Sequence, residues 1–225
     1  MHKKTLTLCE NYVKMKYTCA MKIPSLQEAE RLLAEAEYAN PGPWVSHSRN
    51  VATAARLVAV HHPRLDPEAS FILGLLHDIG RREGVTHLRH QIDGYNFLMG
   101  LSYQDAARIS LTHGFPIPEL NAYNGNHDCS SAELTFLEEF LASVAYNEYD
   151  RLIQLCDAIA LPAGFCLMEK RMVDVALRYG INDLTLRGWE ARFQIKSEIE
   201  TVIGRSIYQV LPGIVEGTFG VSLDR

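Results

Sequence analysis

The chain has 225 residues, 47% of them hydrophobic and 22% charged, and a net charge of −5. That length and mixture fit one large globular domain, or one domain with additions. The acidic balance argues against general nucleic-acid binding but leaves room for an anionic small substrate, because a bound metal supplies local positive charge.

Residues 1–22 contain Lys3, Lys4, Lys14 and Lys16 but no continuous apolar run, so they read as an N-terminal arm and not as a secretory signal. Ser25 with Glu28 forms a Ser-x-x-Glu capping box, which predicts a helix to about Tyr38. Asn40-Pro41-Gly42-Pro43 is a turn. A second helix is predicted from about Trp44 to Val60. Asp66-Pro67-Glu68, with an N-cap and a first-turn proline, opens a third that runs through Asp78 and stops at Gly80. Further helices are expected over about Leu88–Met99 and from Ser102 to about His113. A loop follows to Asn126. Ser130 with Glu133 caps a long helical pattern reaching Leu161, with a break near Asn147, and Pro162 interrupts it. The last predicted helices are Phe165–Tyr179 and Thr185–Ile203. Alternating strand patterns are scarce, so the fold class is all-α.

The five cysteines, Cys9, Cys19, Cys129, Cys156 and Cys166, are odd in number and lack C-x-x-C spacing. They read as reduced thiols of a cytoplasmic protein. No stretch approaches the roughly 20 apolar residues that cross a bilayer.

The most informative feature is His77-Asp78 at the end of an apolar helix. Adjacent imidazole and carboxylate groups are awkward to bury, and a divalent metal resolves the conflict by taking both as ligands. His47, His90, His113 and Asp157 each sit on a segment that reads as helical. Val51, Ala54, Ala55 and Val58 follow His47 on one face, and Ile153, Ala160 and Leu161 flank Asp157 in the same way. The six residues are the right number for two metals sharing one carboxylate. Taken singly, a histidine on an apolar face is more often a hydrogen-bonded core residue, and a buried aspartate more often a cap or salt-bridge partner. The second His-Asp pair, His127-Asp128, lies in a Gly/Asn-rich loop with no apolar helix before it and reads as surface.

In order and context these residues resemble the HD-domain superfamily of metal-dependent phosphohydrolases. Leu75-Leu76-His77-Asp78-Ile79-Gly80 matches the HDIG form. His47 precedes a small-residue helix, and Cys156-Asp157-Ala158 is similar to the family's last ligand in its helix. His90-Gln91-Ile92-Asp93-Gly94 fits the His-x-x-x-Gly form of the first intermediate histidine, and Thr112-His113-Gly114 fits the second. The similarity spans about residues 44–162. It implies that His47, His77, Asp78 and Asp157 hold a first metal and that Asp78 bridges to a second held by His90 and His113. Some members carry two adjacent histidines where this chain has only His113, so a third metal is not implied. Arg81 replaces the lysine that often follows HDIG. It reads equally as a bidentate phosphate contact and as a solvated cation beside Arg82 and Glu83. His87, Arg89 and Asp93 are further candidates for supporting the ligands or touching substrate. His61, His62 and His2 read as surface.

The resemblance implies an all-α HD-domain helical bundle over residues 23–162, and a C-terminal helical extension over 163–225 is expected to pack on the same domain. The implied activity is cleavage of a phosphate ester or anhydride of a nucleotide, or of another small phosphorylated metabolite, by a metal-activated water, with Asp78 and Arg81 in the chemistry. A diiron oxygenase cleaving a C–C or C–P bond and a non-catalytic signalling module are the alternatives. Two divalent ions are expected about 3.5–4 Å apart, iron or manganese ahead of zinc, magnesium, cobalt or nickel. No membrane partner is expected. The sequence is silent on oligomeric state.

Overall fold

A computed structural model describes residues 21–221. Most of the expected arm, with His2, Cys9 and Cys19, lies outside the described residues. The architecture is all-α: eleven helices, two short 3-10 turns and one small hairpin among the described residues.

The first helix, α1 (Leu26–Ala39), starts where Ser25 accepts from the backbone N–H of Glu28. Only this half of the capping box forms, because the Glu28 carboxylate is held by Arg31. Helix α2 (Pro43–Ala59) opens on a proline and buries Val45, Ser48, Val51, Ala52, Ala54, Ala55 and Val58 on one face. Helix α3 (Pro67–Leu76) is capped by Asp66, which accepts from Ala69 N–H at 2.7 Å, and is buried along nearly its whole length. The pairing of α2 with α3 is the most extensive in the fold. It rests on small residues: a Cβ added at Gly74 would lie 2.7 Å from the Cα of Ala52.

Two boundaries differ from expectation here. Helix α3 ends at Leu76 with His77 as its C-cap, and Asp78 has already left helical geometry. Gly80 does not stop a helix; it lies inside a 3-10 turn, Ile79–Glu83, where its missing side chain lets another helix approach.

That helix is α4 (Arg89–Gly100), followed by α5 (Gln104–Thr112). Ser102 does not begin α5. It takes a positive φ of 64° in the connecting turn. The long pattern expected to reach Leu161 is two helices, α6 (Ser131–Ser143) and α7 (Glu148–Asp157), each opened by a complete capping box, Ser130/Glu133 and Asn147/Asp150. Helix α7 stops at Asp157. Residues Ala160–Leu161 (β1) and Gly164–Phe165 (β2) then form a two-stranded antiparallel hairpin. Phe165 therefore belongs to a strand, and the next helix, α8, is Met168–Tyr179. After α9 (Thr185–Ile203), two short helices unanticipated in the sequence, α10 (Ile207–Val210) and α11 (Ile214–Phe219), complete the described chain.

One apolar cluster runs from Ala29 on α1 to Ile214 on α11, so the C-terminal helices share the main core. A smaller cluster, Leu88, Ile92, Leu111, Phe115, Leu137 and Leu141, joins α4, α5 and α6. Helix α5 is also tied to α7 by polar bonds. Asp150 takes Arg108 at 2.6 Å and the Thr112 hydroxyl at 2.8 Å, and Gln154 donates to the carbonyls of Thr112 and Phe115. These bonds fix the end of α5 against the end of α7. Among the described residues no helix is long and apolar enough to cross a membrane.

Candidate metal centre

The six expected ligands converge. His47 stands on α2, His77 caps α3, Asp78 follows it, His90 lies in the first turn of α4, His113 caps α5, and Asp157 ends α7. His47, His77 and Asp78 form one group able to hold a cation, and Asp78, His90 and His113 form another. Asp78 is common to both. Asp157 Oδ1 lies 2.9 Å from His47 Nε2 and 4.0 Å from His77 Nε2, beside the first group.

Placement at helix ends gives the imidazoles their orientation. A backbone carbonyl has two lone pairs, so one in a helix's last turn can accept from a ring N–H whether or not it also accepts within the helix. The Nδ1–H of His77 donates to Gly74 O at 2.7 Å, and that of His113 to Ile109 O at 3.2 Å. The Nδ1–H of His90 donates to the carbonyl of His87. A carbonyl only accepts, so all three rings carry the proton on Nδ1 and, when neutral, point an Nε2 lone pair at Asp78.

The lone pairs crowd an anion. His90 Nε2 is 3.0 Å and His113 Nε2 3.5 Å from Asp78 Oδ1, and the two Nε2 atoms are 3.5 Å apart. Asp78 Oδ1, His77 Nε2 and His47 Nδ1 are buried without a hydrogen-bond partner. Acceptors facing acceptors are unfavourable unless a cation or proton lies between them. Burial pushes the pKa of His77 down to about 4 and that of His90 below its ordinary value. Burial also opposes charge on His113, but its contact with Asp78 outweighs this and raises its pKa. A proton on His113 relieves one contact; divalent cations relieve the whole set. Burial favours the neutral acid at Asp78 too, yet Arg81, His90 and His77 hold its carboxyl well below the usual range. Asp157 is likewise held down, against burial, mainly by His47. Two ionised carboxylates and neutral imidazoles are the donor set that divalent transition metals take.

Arg81 Nε donates to Asp78 Oδ2 at 2.6 Å, and its backbone carbonyl accepts from Asn40. It is therefore a partner of the shared carboxylate and not a solvated cation, although it also lines the cavity. His87 supports His90 through its carbonyl. Arg89 is taken by Glu133 and faces Asp93 at 3.7 Å, and these two line a separate surface recess with Glu83 and Thr86. His61 is exposed as expected, but His62 is buried, its Nδ1 accepting from Arg64 N–H.

Asp128 is exposed, as expected of a surface pair, but it has a structural part. Helix α4 has no side-chain cap of its own, and Asp128 supplies one from the loop between α5 and α6 by accepting from His87 N–H at 2.7 Å and Arg89 N–H at 2.9 Å. Asp128→Ala is therefore expected to cost about 1–2 kcal/mol, as loss of a helix cap does. It should weaken the ion held by His90 by roughly tenfold, in the range for lost supporting contacts. His127→Ala should change neither. Thermal denaturation with metal titration checks this, and an Asp128→Ala protein with wild-type stability would remove the capping role.

The ligands open onto a cavity of about 330 Å³. Sequence reasoning missed much of its wall. Trp44, Gln91, Tyr123 and Tyr179 line it, as do Arg171 and Arg178 from α8 and Arg192 from α9. The available signal was the recurrence of Arg171, Val175 and Arg178 on one face of α8, which no ligand pattern distinguishes from a solvated face.

A family model described as HD domain matches residues 44–161, more than half of the chain and all six candidate ligands. No curated protein and no solved structure matches the chain.

Proposed function

This chain belongs to the HD-domain family, and from that premise we propose that it is a phosphohydrolase cleaving a phosphate ester or anhydride of a nucleotide or another small phosphorylated metabolite. The observation that carries the reading is the pair of cation-binding groups sharing Asp78 at the floor of an open cavity.

His47, His77, Asp78 and Asp157 would hold one ion, and Asp78, His90 and His113 the other. Bound there, two such ions would lower the pKa of water and offset the negative charge of a phosphoryl group. The chain's own contribution is orientation. The carbonyls of Gly74, His87 and Ile109 lock three imidazoles with Nε2 inward, which fixes the donor atoms before a cation arrives. Arg81 compensates the charge of Asp78 and keeps it ionised. Gln91 is fully buried beside His90, with both amide atoms unpartnered at the cavity wall. Its amide keeps a donor and an acceptor that the protein leaves unused next to His90. Tyr123, whose hydroxyl burial keeps protonated, offers a second donor from the opposite loop. Cytoplasmic placement and the absence of a nucleic-acid partner belong to the same proposal.

The test is phosphate release from a panel of nucleotides and phosphorylated metabolites, with protein loaded with manganese or iron and with chelator-treated protein. Metal-dependent release from at least one compound is the expected result. Oxygen consumption without phosphate release would replace the reading with the diiron oxygenase. Neither activity in fully metallated protein would leave a non-catalytic module.

A further inference from the structure

Four guanidiniums, Arg81, Arg171, Arg178 and Arg192, but only two carboxylates, Asp78 and Asp157, line the cavity of a chain whose net charge is −5. Positive charge is thus concentrated at this wall before any cation is counted. Arg81 is spoken for by Asp78. The other three have no carboxylate partner among the described residues. Arg178 is exposed at the mouth and bonds its own helix through Asp174 O. Arg171 and Arg192 lie deeper, where α8 and α9 face each other. Both line a recess next to Asp157, together with Asn124, Val175 and Trp189.

Neither arginine of this pair is satisfied where it stands. Arg171 Nε is buried with no hydrogen-bond partner. Among the described residues the one hydrogen bond of the Arg192 side chain is long, 3.4 Å to Gly188 O one turn back on its own helix. Burial lowers the pKa of Arg192; Asp157 pulls it back up, and the like charge of Arg171 lowers it by a smaller amount. Two half-buried guanidiniums that share one recess with a single carboxylate, Asp157, and form no salt bridge to it are left short of counter-charge and hydrogen-bond acceptors, which an anion would supply. Their planar N–H forks match phosphate oxygens.

We infer that Arg171 and Arg192 form an anion subsite beside Asp157 that binds a second phosphoryl group of the substrate. The inference rests on the phosphohydrolase reading and narrows it. The substrate class is a compound with two linked phosphoryl groups, such as a nucleoside di- or triphosphate, one group at the metal centre and the next between α8 and α9. A simple monoester leaves this pair unfilled.

Both tryptophans of the chain, Trp44 and Trp189, line these spaces, so a W44F protein reports on Trp189 alone. Its fluorescence is titrated with pyrophosphate and with orthophosphate in metal-loaded protein, alongside R171Q and R192Q. Pyrophosphate should bind at least about tenfold more tightly than orthophosphate. Each substitution should weaken pyrophosphate by roughly ten- to a hundredfold, the range for charge-assisted contacts. Orthophosphate affinity and metal content should stay at wild-type values. R171K and R192K keep the charge without the fork, so they should recover part of the loss, and they serve if a glutamine variant fails to fold. Unchanged pyrophosphate affinity in both variants overturns the subsite. So does loss of metal together with pyrophosphate, which would make the arginines supports for Asp157. Arginine-dependent pyrophosphate binding without turnover of any phosphorylated compound keeps the subsite and rejects the hydrolase. Hydrolysis of monoesters and diphosphates alike, indifferent to both substitutions, keeps the hydrolase and rejects the subsite.

Discussion

Asp78→Ala is expected to strip both ions from the protein and to lower phosphohydrolase activity by at least about 10³-fold, several kcal/mol of transition-state stabilisation. His90→Ala should remove one ion and leave the other. The asymmetry follows from geometry: Asp78 is the member common to both groups able to hold a cation, whereas His90 belongs to one. The substitution has a second consequence. Arg81 is bonded to Asp78 Oδ2, and removing one partner of a buried ion pair costs about 3–5 kcal/mol. Because Arg81 keeps 29% of its side chain exposed, water screens part of that cost, and the lower end applies. Asp78→Asn reduces the second effect, since its amide oxygen still accepts from Arg81 while the charge a cation needs is gone. It should remain folded and still lose metal. Elemental analysis of metal per chain decides the matter: equal metal loss from Asp78→Ala and His90→Ala would end the shared role of Asp78.

The residues that converge at the candidate site were legible in the sequence because the residue types are chemically restricted. Few residues can hold a divalent cation, and His47, His77, Asp78, His90, His113 and Asp157 occur in a recognisable order on segments with clear caps and periodicity. The walls of the cavity were not legible, for a different reason. Arg171 and Arg192 are of the residue type that covers solvated helix faces, and only the fold brings them from α8 and α9 to the wall of one recess beside Asp157. Helix ends failed in a third way. The apolar run through Asp157 continues into Ala158, Ile159 and Ala160, so periodicity carries on past the true end of α7, and strands of two residues are too short to show alternation. Asp128 shows the converse limit. Its exposure was read correctly, but a cap supplied from a distant loop leaves no local signature.

Gly80 is the residue whose role changed most between sequence and structure, and it leads to the sharpest stability test. A glycine after an apolar helix suggests a stop. Here it is a contact. A Cβ at Gly80 would sit 1.9 Å from His90 O and 2.4 Å from Gly94 N, both backbone atoms. Gly94 returns the approach, since its own Cβ would lie 3.2 Å from Gly80 N. The glycine of the His-x-x-x-Gly pattern is therefore there to bring α4, and His90 with it, against the turn that follows Asp78. Gly74 does the same for the other half of the site, holding α2 and His47 against α3 and His77. Neither clash can be relieved by rotating a side chain, so one backbone has to retreat. Gly80→Ala should destabilise the fold by about 1–3 kcal/mol or more, as overpacking does. It should also displace His90, weakening the second ion by up to about a hundredfold, the scale of a 1 Å misplacement, while the first ion stays. Gly74→Ala should do the reverse, weakening the ion held by His47 and His77. Calorimetric metal titration of the two variants reads the difference directly. A Gly80→Ala protein that binds two ions as tightly as wild type would show that the close approach of α4 does not set the geometry of the site.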